Sequence, residues 1–327
     1  MSVNLFDANF YRAANPDLAS LNNDQAFSHF QNSGLDEGRA FSPFANLNFY
    51  RSSNPDLATA GLNTNRQLYD HLQNSGVAEG RRFSQFVDIN YYLGVNPDLN
   101  QAFMGNREQA LDHLRGSGVN EGRSFSSFVD LGYYLSTNSE LNQALGGNRA
   151  LALEHLEIIG LEEGRQFSPA FDVNFYRNAY PDLISAGLTT NGSLFQHFVS
   201  NGFYLDGRSG TPDPGNSLDT ALNLGSPAAS AIFFNDFVGS SDTDDYYRLT
   251  LNESRNIDVD VFGLSADLGL ALLDNNGNAI QSSSNEGTTP DSVASLGLNP
   301  GTYFIRVNQG VPDASSNYYL DVIILPA

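Results

Sequence analysis

Hydrophobic and polar positions recur with a fixed period along the first two-thirds of the chain. The five histidines of the 327-residue sequence mark this period, because each follows the previous one after 42 residues. They are His29, His71, His113, His155 and His197. An aromatic pair such as Tyr91-Tyr92 precedes each histidine, and a Gly-Arg pair such as Gly122-Arg123 follows it. A period of this length predicts an array of stacked structural units.

Within each unit the pattern predicts short helices, and the third unit shows the signals most fully. Asp88 is placed to cap a first helix, and Asn96 is placed to cap a second helix that has Pro97 at its first position. Apolar residues at helical spacing predict a third helix over residues 108–115. Gly118 then stands where a helix end commonly needs a residue with left-handed backbone.

One unit is too small to bury its own apolar face, so neighbouring units must supply the core. We expect five helical repeats over residues 1–209, a linker at 210–217 and a second domain over 218–327. The predicted repeats are residues 3–44, 45–86, 87–128, 129–170 and 171–209. We interpret the repeated histidines and the Glu-Gly-Arg turns as packing elements. The alternatives are a ladder of metal sites or a pH sensor for the histidines, and a ligand-facing row for the turns.

After the linker, apolar and polar residues alternate, which is typical of β-strands. Explicit strand candidates are residues 246–251, 257–262, 268–273, 279–281, 302–307 and 318–324. Seven or eight short strands in a region of this length predict a β-sandwich. The sequence therefore predicts a multidomain α plus β protein, in which an all-α helical repeat array is followed by an all-β sandwich.

Charge and composition exclude several classes of function. The formal net charge of −21 and a pI near 4.3 oppose binding to phosphate backbones, so we expect no nucleic-acid partner. The absence of cysteine excludes disulfides and thiolate chemistry. No apolar run reaches about 18 residues, so we expect no membrane insertion. The first residues lack the features of a secretory signal, which leaves either an intracellular protein or export without a leader.

Parts of the C-terminal region resemble the bacterial pre-peptidase C-terminal domain, a jelly-roll-like β-sandwich. The stretches that carry this resemblance are residues 216–221, 239–247, 263–268 and 298–303. The helical units similarly resemble a repeat with the pattern Phe-Asp-x-x-Tyr-Tyr-Leu-x-x-Asn-Pro-Asp, seen in bacterial surface and secreted proteins, including cyanobacterial ones. That second resemblance implies no particular activity.

The first resemblance implies a possible Ca²⁺ site. Some members of the sandwich family bind Ca²⁺ where the linker meets the segment that corresponds to residues 239–247. Asp242 and Asp245 match the acids of that segment, and Asp213 and Asn216 occupy the linker region. Carboxylate and amide oxygens are ligands that Ca²⁺ prefers. The alternative is that these aspartates form only turns that face solvent.

Catalysis finds little support in the sequence. All histidines belong to the repeat, and neither a phosphate-binding Walker loop nor a zinc-protease helix motif occurs. We therefore expect a non-enzymatic binding or scaffold protein of the cell surface or extracellular space, acting in adhesion or matrix formation, with a protein or polysaccharide partner. Tyr303, Tyr318 and Tyr319 are candidate contact residues, unless they serve packing. The alternatives are an intracellular, cytoplasmic assembly subunit that docks through the repeats, and an accessory module of a hydrolase.

Overall fold

The structure is a computed structural model that describes residues 3–327, with helical repeats followed by a two-sheet β-sandwich. The predicted α plus β fold class is confirmed. The chain forms two compact units, one reaching to Ser126 and including Gln143–Glu163, the other combining Ser127–Asn142 with Gly164–Ala327. The fourth repeat contributes to both units, and the fifth repeat lies in the same unit as the sandwich. No helix of the described residues is long and apolar enough to cross a membrane.

Each repeat contains a first, a second and a third helical segment, as the pattern predicted. The first helices are α1 (Ala8–Ala14), α3 (Leu47–Ser53), α6 (Ile89–Val95), α9 (Leu131–Thr137) and α12 (Val173–Ala179). The second segments are a 3-10 turn at Pro16–Leu18 and the helices α4 (Asp56–Thr59), α7 (Pro97–Phe103), α10 (Ser139–Leu145) and α13 (Pro181–Ser185). The third helices are α2 (Asn23–His29), α5 (Asn65–His71), α8 (Arg107–His113), α11 (Arg149–His155) and α14 (Asn191–His197).

The two polar residues predicted to cap helices behave differently. The Asp88 carboxylate accepts hydrogen bonds from two backbone N–H groups of α6 at 2.9 and 3.0 Å, so this cap is confirmed. Asn96 occupies the N-cap position of α7 and Pro97 follows it, as predicted, but the Asn96 side chain makes no capping hydrogen bond. Its buried Nδ2 instead donates to the carbonyls of Tyr92 at 2.8 Å and Ser124 at 3.1 Å. The asparagine thereby ties the first helix to the segment that leads into the next repeat.

Every third helix continues past its histidine as a π-helical turn. These turns are Phe30–Gly34, Leu72–Gly76, Leu114–Gly118, Leu156–Gly160 and Phe198–Gly202. The helical segment thus ends at Gly118, but the backbone of Gly118 is not left-handed, so that part of the expectation is wrong. The left-handed position falls later, at Gly122, where φ is +75°.

In four of the repeats, the glycine that closes the π-helical turn lies against a tyrosine hydroxyl. A Cβ atom at Gly118 would stand 2.2 Å from the Tyr92 oxygen. That hydroxyl shares a hydrogen bond of 2.8 Å with Nδ1 of His113. The same pairs form in three other repeats, as Tyr11–His29 at 2.8 Å, Tyr50–His71 at 2.7 Å and Tyr176–His197 at 2.9 Å. This geometry agrees with the interpretation of the histidines as packing elements.

The Glu-Gly-Arg turns form ion pairs on the surface of the repeats. Arg123 contacts Asp98 at 2.9 Å and Glu121 at 2.7 Å. Arg39, Arg81 and Arg208 form equivalent pairs in their own repeats. Because the Asp98 side chain is 58% exposed, water screens the pair, and such a contact contributes about 0–1 kcal/mol.

Backbone hydrogen bonds join the start of each repeat to its end. The residue before each first helix donates its N–H to a carbonyl near the end of the same repeat or, for the fifth repeat, at the start of the linker. These bonds are Asp7 to Phe41, Asn46 to Phe83, Asp88 to Phe125, Asp130 to Phe167 and Asp172 to Gly210, all between 2.8 and 3.0 Å. In the first compact unit, contacts also extend past the neighbouring repeat, since the Arg115 side chain donates to the carbonyl of Asn4.

The sandwich contains nine strands in two sheets. The strands are β1 (Leu222–Asn223), β2 (Ser230–Val238), β3 (Asp244–Leu251), β4 (Arg255–Phe262), β5 (Leu268–Leu273), β6 (Ala279–Ser283), β7 (Asp291–Leu298), β8 (Gly301–Gln309) and β9 (Ser316–Pro326). The first sheet has the order β1-β3-β8-β5-β6 and the second the order β2-β9-β4-β7. Only the short β1–β3 pair is parallel among these strand pairs.

Three of the nine strands, β1, β2 and β7, are absent from the explicit sequence candidates, and β1 has only two residues. Within β2, the consecutive apolar residues 231–234 hide the alternation that marks a strand. Within β7, serine, alanine and glycine weaken the apolar signal. The core between the sheets is nevertheless well filled, with Tyr247, Val259 and Leu320 all completely buried.

Candidate metal centre

The linker after the fifth repeat runs beside the beginning of β3. The N–H of Asp244 donates to Oδ1 of Asn216 at 2.9 Å, and the N–H of Tyr246 donates to the carbonyl of Gly215 at 3.1 Å. These bonds hold the linker side chains next to the turn that joins β2 to β3.

Three of the four predicted cation ligands meet at this point. Asp213, Asp242 and Asp245 each present a carboxylate oxygen, and these oxygens all lie within 4.8 Å of one another. Asn216 takes a different position, because its Nδ2 donates to Oδ1 of Asp242 at 3.0 Å while its own oxygen is occupied by Asp244. Asn216 therefore holds the Asp242 carboxylate in place.

Asp245 is the buried member of the cluster. Its side chain is completely inaccessible to solvent, and its Oδ2 accepts a hydrogen bond of 2.5 Å from the Tyr318 hydroxyl. Tyr318 in turn shares a bond of 2.7 Å with the Tyr247 hydroxyl in the core. The second carboxylate oxygen, Oδ1, has no hydrogen-bond partner in the described part of the chain. A buried carboxylate oxygen without a partner is costly, so this atom needs a compensating group.

A fourth carboxylate, Asp236, lies near enough to act on the cluster electrostatically. Burial, reinforced by the charges of Asp213 and Asp242, raises its pKa to about 7. Sequence reasoning missed this residue. Asp236 pairs with Tyr318 across strands β2 and β9, on the face where Phe234 and Val238 are buried. The signal would have been an aspartate at an inward position of a strand, but β2 was not among the strands predicted from the sequence.

The carboxylates of the cluster also raise one another's pKa values. Burial raises the pKa of Asp245 to about 8, opposed by the Tyr318 hydrogen bond and reinforced by the neighbouring acids. Burial and the adjacent Asp213 raise the pKa of Asp242 to about 6. A bound cation would remove this repulsion by favouring the ionised forms. An all-oxygen set with several carboxylates and one unsatisfied buried oxygen fits a hard divalent cation such as Ca²⁺.

Comparison with known families gives a match in the C-terminal third of the chain. Residues 243–309 match the family model described as "Bacterial pre-peptidase C-terminal domain". The C-terminal third of the chain carries such a domain. The recognition of this family from sequence is confirmed, and the match is consistent with a non-catalytic binding or accessory module. The search of curated proteins gives no match for the chain.

Solved structures similar to the pre-peptidase C-terminal domain region share little sequence with it. The corresponding domain of a collagenase from Bacillus anthracis is 18% identical, with 31% of this chain and 91% of that chain covered and a TM-score of 0.25. PliG of Aeromonas hydrophila, a periplasmic inhibitor of g-type lysozyme, is 16% identical, with 31% and 96% covered and a TM-score of 0.25. The carbohydrate-binding module CBM36, solved with calcium and xylotriose, is 19% identical, with 27% and 76% covered and a TM-score of 0.20. These TM-scores are too low to support an inference about function.

The three candidate contact tyrosines of the pre-peptidase C-terminal domain have different environments. Tyr318 is 1% exposed and bonded inside the core, so it cannot contact a partner at the surface, and the expectation for it is corrected accordingly. Tyr303 is partly exposed, and its hydroxyl donates to the Asn299 carbonyl at 2.8 Å. Tyr319 is also partly exposed and stacks on Phe262 with ring centroids 5.6 Å apart.

Proposed function

We propose that the chain is a non-catalytic binding and scaffold protein whose sandwich is fastened to its linker by a bound Ca²⁺ ion. The observation that carries this proposal is the unpaired, buried Oδ1 of Asp245 beside the carboxylates of Asp213 and Asp242. Asp213 belongs to the linker, whereas Asp245 belongs to β3. A cation held by both would therefore fix the path of the chain between the last repeat and the sandwich.

The raised pKa values make cation binding depend on pH. The pKa values of Asp242, Asp236 and Asp245 are raised to about 6, 7 and 8, so the cation-free cluster retains protons near neutral pH. A cation binds the ionised carboxylates and must displace these protons. Affinity therefore increases as the pH rises from about 6 to about 8.

The expected affinity also supports a location outside the cytoplasm. Proton competition weakens binding, and we propose a dissociation constant in the range of about 10⁻⁴–10⁻³ M that extracellular modules use. Calcium at that concentration is found outside cells rather than in the cytosol. We accordingly propose a cell-surface or extracellular protein, and detection by antibody in washed cells, medium and cytosol tests this. Recovery from the cytosol alone would contradict the location.

The packing role of the histidines supports the proposal that the protein is non-catalytic. In four repeats the histidine Nδ1 is occupied by a tyrosine hydroxyl, such as that of Tyr92. A histidine held in this way contributes to the repeat structure. Such a role favours a scaffold over a hydrolase.

Calorimetric titration of the full-length protein with CaCl₂ tests the proposed cation. We expect saturable heat, and a higher melting temperature in 10 mM Ca²⁺. For a dissociation constant near 10⁻⁴ M, that concentration would stabilise the folded state by about 2.7 kcal/mol. Titration in two buffers with different ionisation enthalpies measures the protons released.

Two substitutions test whether the carboxylate cluster is the site at which Ca²⁺ binds. Asp245→Asn keeps the side-chain shape but removes the buried charge, and it should abolish the calcium-induced rise in melting temperature. Asp219→Asn is the matched control, because Asp219 is exposed and lies near the linker outside the cluster. Absence of heat and of stabilisation in wild-type protein at millimolar Ca²⁺ would refute the proposed cation.

A further inference from the structure

The outer face of the five-stranded sheet carries two rows of side chains that cross several strands. Strand register aligns Tyr246 on β3 with Arg306 on β8, Arg306 with Ala271 on β5, and Ala271 with Ser282 on β6. The next row aligns Asp244, Asn308 and Gly269 in the same way. Neighbouring residues on these strands point into the core, so both rows point outwards.

These rows border an open trough with a cavity volume of about 330 Å³. Gly269 and Ala271 lie on β5, between β8 and β6, and these two small, buried residues form the floor. Tyr246 and Arg306 stand on one side, with the guanidinium carbon 5.8 Å from the centre of the tyrosine ring. The serines of β6 stand on the other side. The volume lies at the lower end of the range for small-molecule sites, about 300–1,000 Å³.

The trough is polar but its charges are balanced. Arg306 pairs with Asp244, with 2.6 Å between Nε and Oδ1. This pair leaves little net charge to attract an ionic ligand. The hydroxyls of Tyr246 and Ser282 and the Oδ1 atom of Asn308 have no hydrogen-bond partner among residues 3–327. They are available to a ligand that both donates and accepts hydrogen bonds.

We propose that this trough binds a segment of neutral glycan, which gives a ligand class to the binding role proposed above and rests on it. A sugar ring offers many hydroxyl groups together with an apolar face of C–H groups. The hydroxyls match the tyrosine, serine, amide and guanidinium groups, and the apolar face matches the side of the Tyr246 ring. An extended peptide is a poorer fit, because it adds to a sheet through a free edge and the trough lies on a sheet face.

Binding is tested with full-length protein and three defined probes: cellohexaose, xylohexaose and mannohexaose, each measured by isothermal titration calorimetry. We expect at least one of them to bind with saturable heat. Ser282→Trp should fill the trough from its exposed rim and lower affinity at least tenfold. The matched control is Gln281→Trp, the adjacent exposed position on the same strand, whose side chain points to the opposite face.

A smaller change tests the hydrogen bonding. Tyr246→Phe removes one hydroxyl and keeps the ring, which packs against the buried cluster of Ala271, Leu273 and Phe304. Loss of one hydrogen bond of about 1 kcal/mol should lower affinity about fivefold. Circular dichroism and melting temperature confirm that each variant is folded.

The outcomes distinguish a failure of this inference from a failure of the proposed Ca²⁺ site. Failure of all three glycans to bind, in protein that still binds Ca²⁺, overturns the trough assignment alone. Glycan binding that Ser282→Trp leaves unchanged also overturns it, because the ligand would then lie elsewhere. Binding of gelatin peptides, lost in Ser282→Trp and without any glycan binding, overturns the ligand class. Glycan binding that Ser282→Trp abolishes, in protein that does not bind Ca²⁺, supports the trough as the glycan site and contradicts the proposed Ca²⁺ site.

Discussion

The contact between the π-helical turn and the tyrosine hydroxyl predicts a large difference between two glycines of the same turn. Gly116 and Gly118 both lie in Leu114–Gly118. A Cβ atom at Gly116 would meet no atom within 4 Å, whereas one at Gly118 would stand 2.2 Å from the Tyr92 oxygen. Ordinary van der Waals contact needs more than 3 Å, so Gly118→Ala must displace the hydroxyl by about 1 Å.

The expected cost of Gly118→Ala combines two effects. Overpacking of a filled site costs about 1–3 kcal/mol, and loss of the bond between Tyr92 and His113 leaves polar groups unsatisfied at a further cost of about 1–3 kcal/mol. Because the two effects partly overlap, we expect a net loss of about 2–4 kcal/mol. Gly116→Ala should instead be neutral or stabilise the fold by up to about 1 kcal/mol, because alanine restricts the unfolded chain.

Urea unfolding followed by far-ultraviolet circular dichroism measures both variants. Tyr92→Phe serves as the second half of a double-mutant cycle, since it removes the hydroxyl with which the new methyl group collides. Gly118→Ala should cost less in the Tyr92→Phe background than in wild type, by about 1–2 kcal/mol. Equal losses in both backgrounds, or equal effects of the two glycine substitutions, would refute the steric argument.

Three further predictions concern the helical repeats. Burial raises the pKa of Glu157 to about 8, so folded protein holds this proton more tightly than unfolded protein and loses stability as the pH rises from about 5 to 8. Relative to wild type, the free energy of unfolding of Glu157→Gln should therefore rise by about 1.4 kcal/mol for each pH unit between about 5 and 8. The exposed control Asp112→Asn should show no such dependence on pH when both variants are measured by urea unfolding. Asn96→Ala removes hydrogen bonds to two carbonyls and should lower the free energy of unfolding by about 1–3 kcal/mol in the same assay. An unchanged free energy of unfolding would contradict this and would indicate that water replaces the amide. Arg123→Gln breaks an exposed pair with Asp98 and should cost less than about 1 kcal/mol, with the difference vanishing in 1 M NaCl; a larger, salt-independent loss would contradict the surface assignment.

The repeat architecture was largely predictable because its signals are local. A cap such as Asp88 needs only the next few residues, and the 42-residue period appears directly in the histidine spacing. The role of Asn96 was not predictable in this way. Its partner Ser124 lies 28 residues later, and nothing in the neighbouring sequence distinguishes a buried asparagine from a capping one. The contact between Gly118 and Tyr92 likewise joins residues far apart in the sequence.

The candidate site was partly predictable for a similar reason. Asp213, Asp242 and Asp245 follow from the family resemblance, and the structure brings their carboxylates together. Asp236 lies on a strand that the sequence pattern did not reveal, so its inward position could not be recognised. The burial of Tyr318 likewise depends on which face of β9 meets the other sheet, a choice that the register of the whole sandwich decides.

The backbone bond from Asp172 to Gly210 has a practical consequence for dissecting the chain. The last repeat is completed by a carbonyl that the linker supplies, at a position where a Cβ atom would collide with the Ala170 carbonyl at 2.4 Å. A truncation after residue 209 would consequently remove the acceptor that finishes the array. Any expression fragment meant to preserve the five repeats should extend into the linker, and grafts of the sandwich onto other arrays should carry that glycine with them.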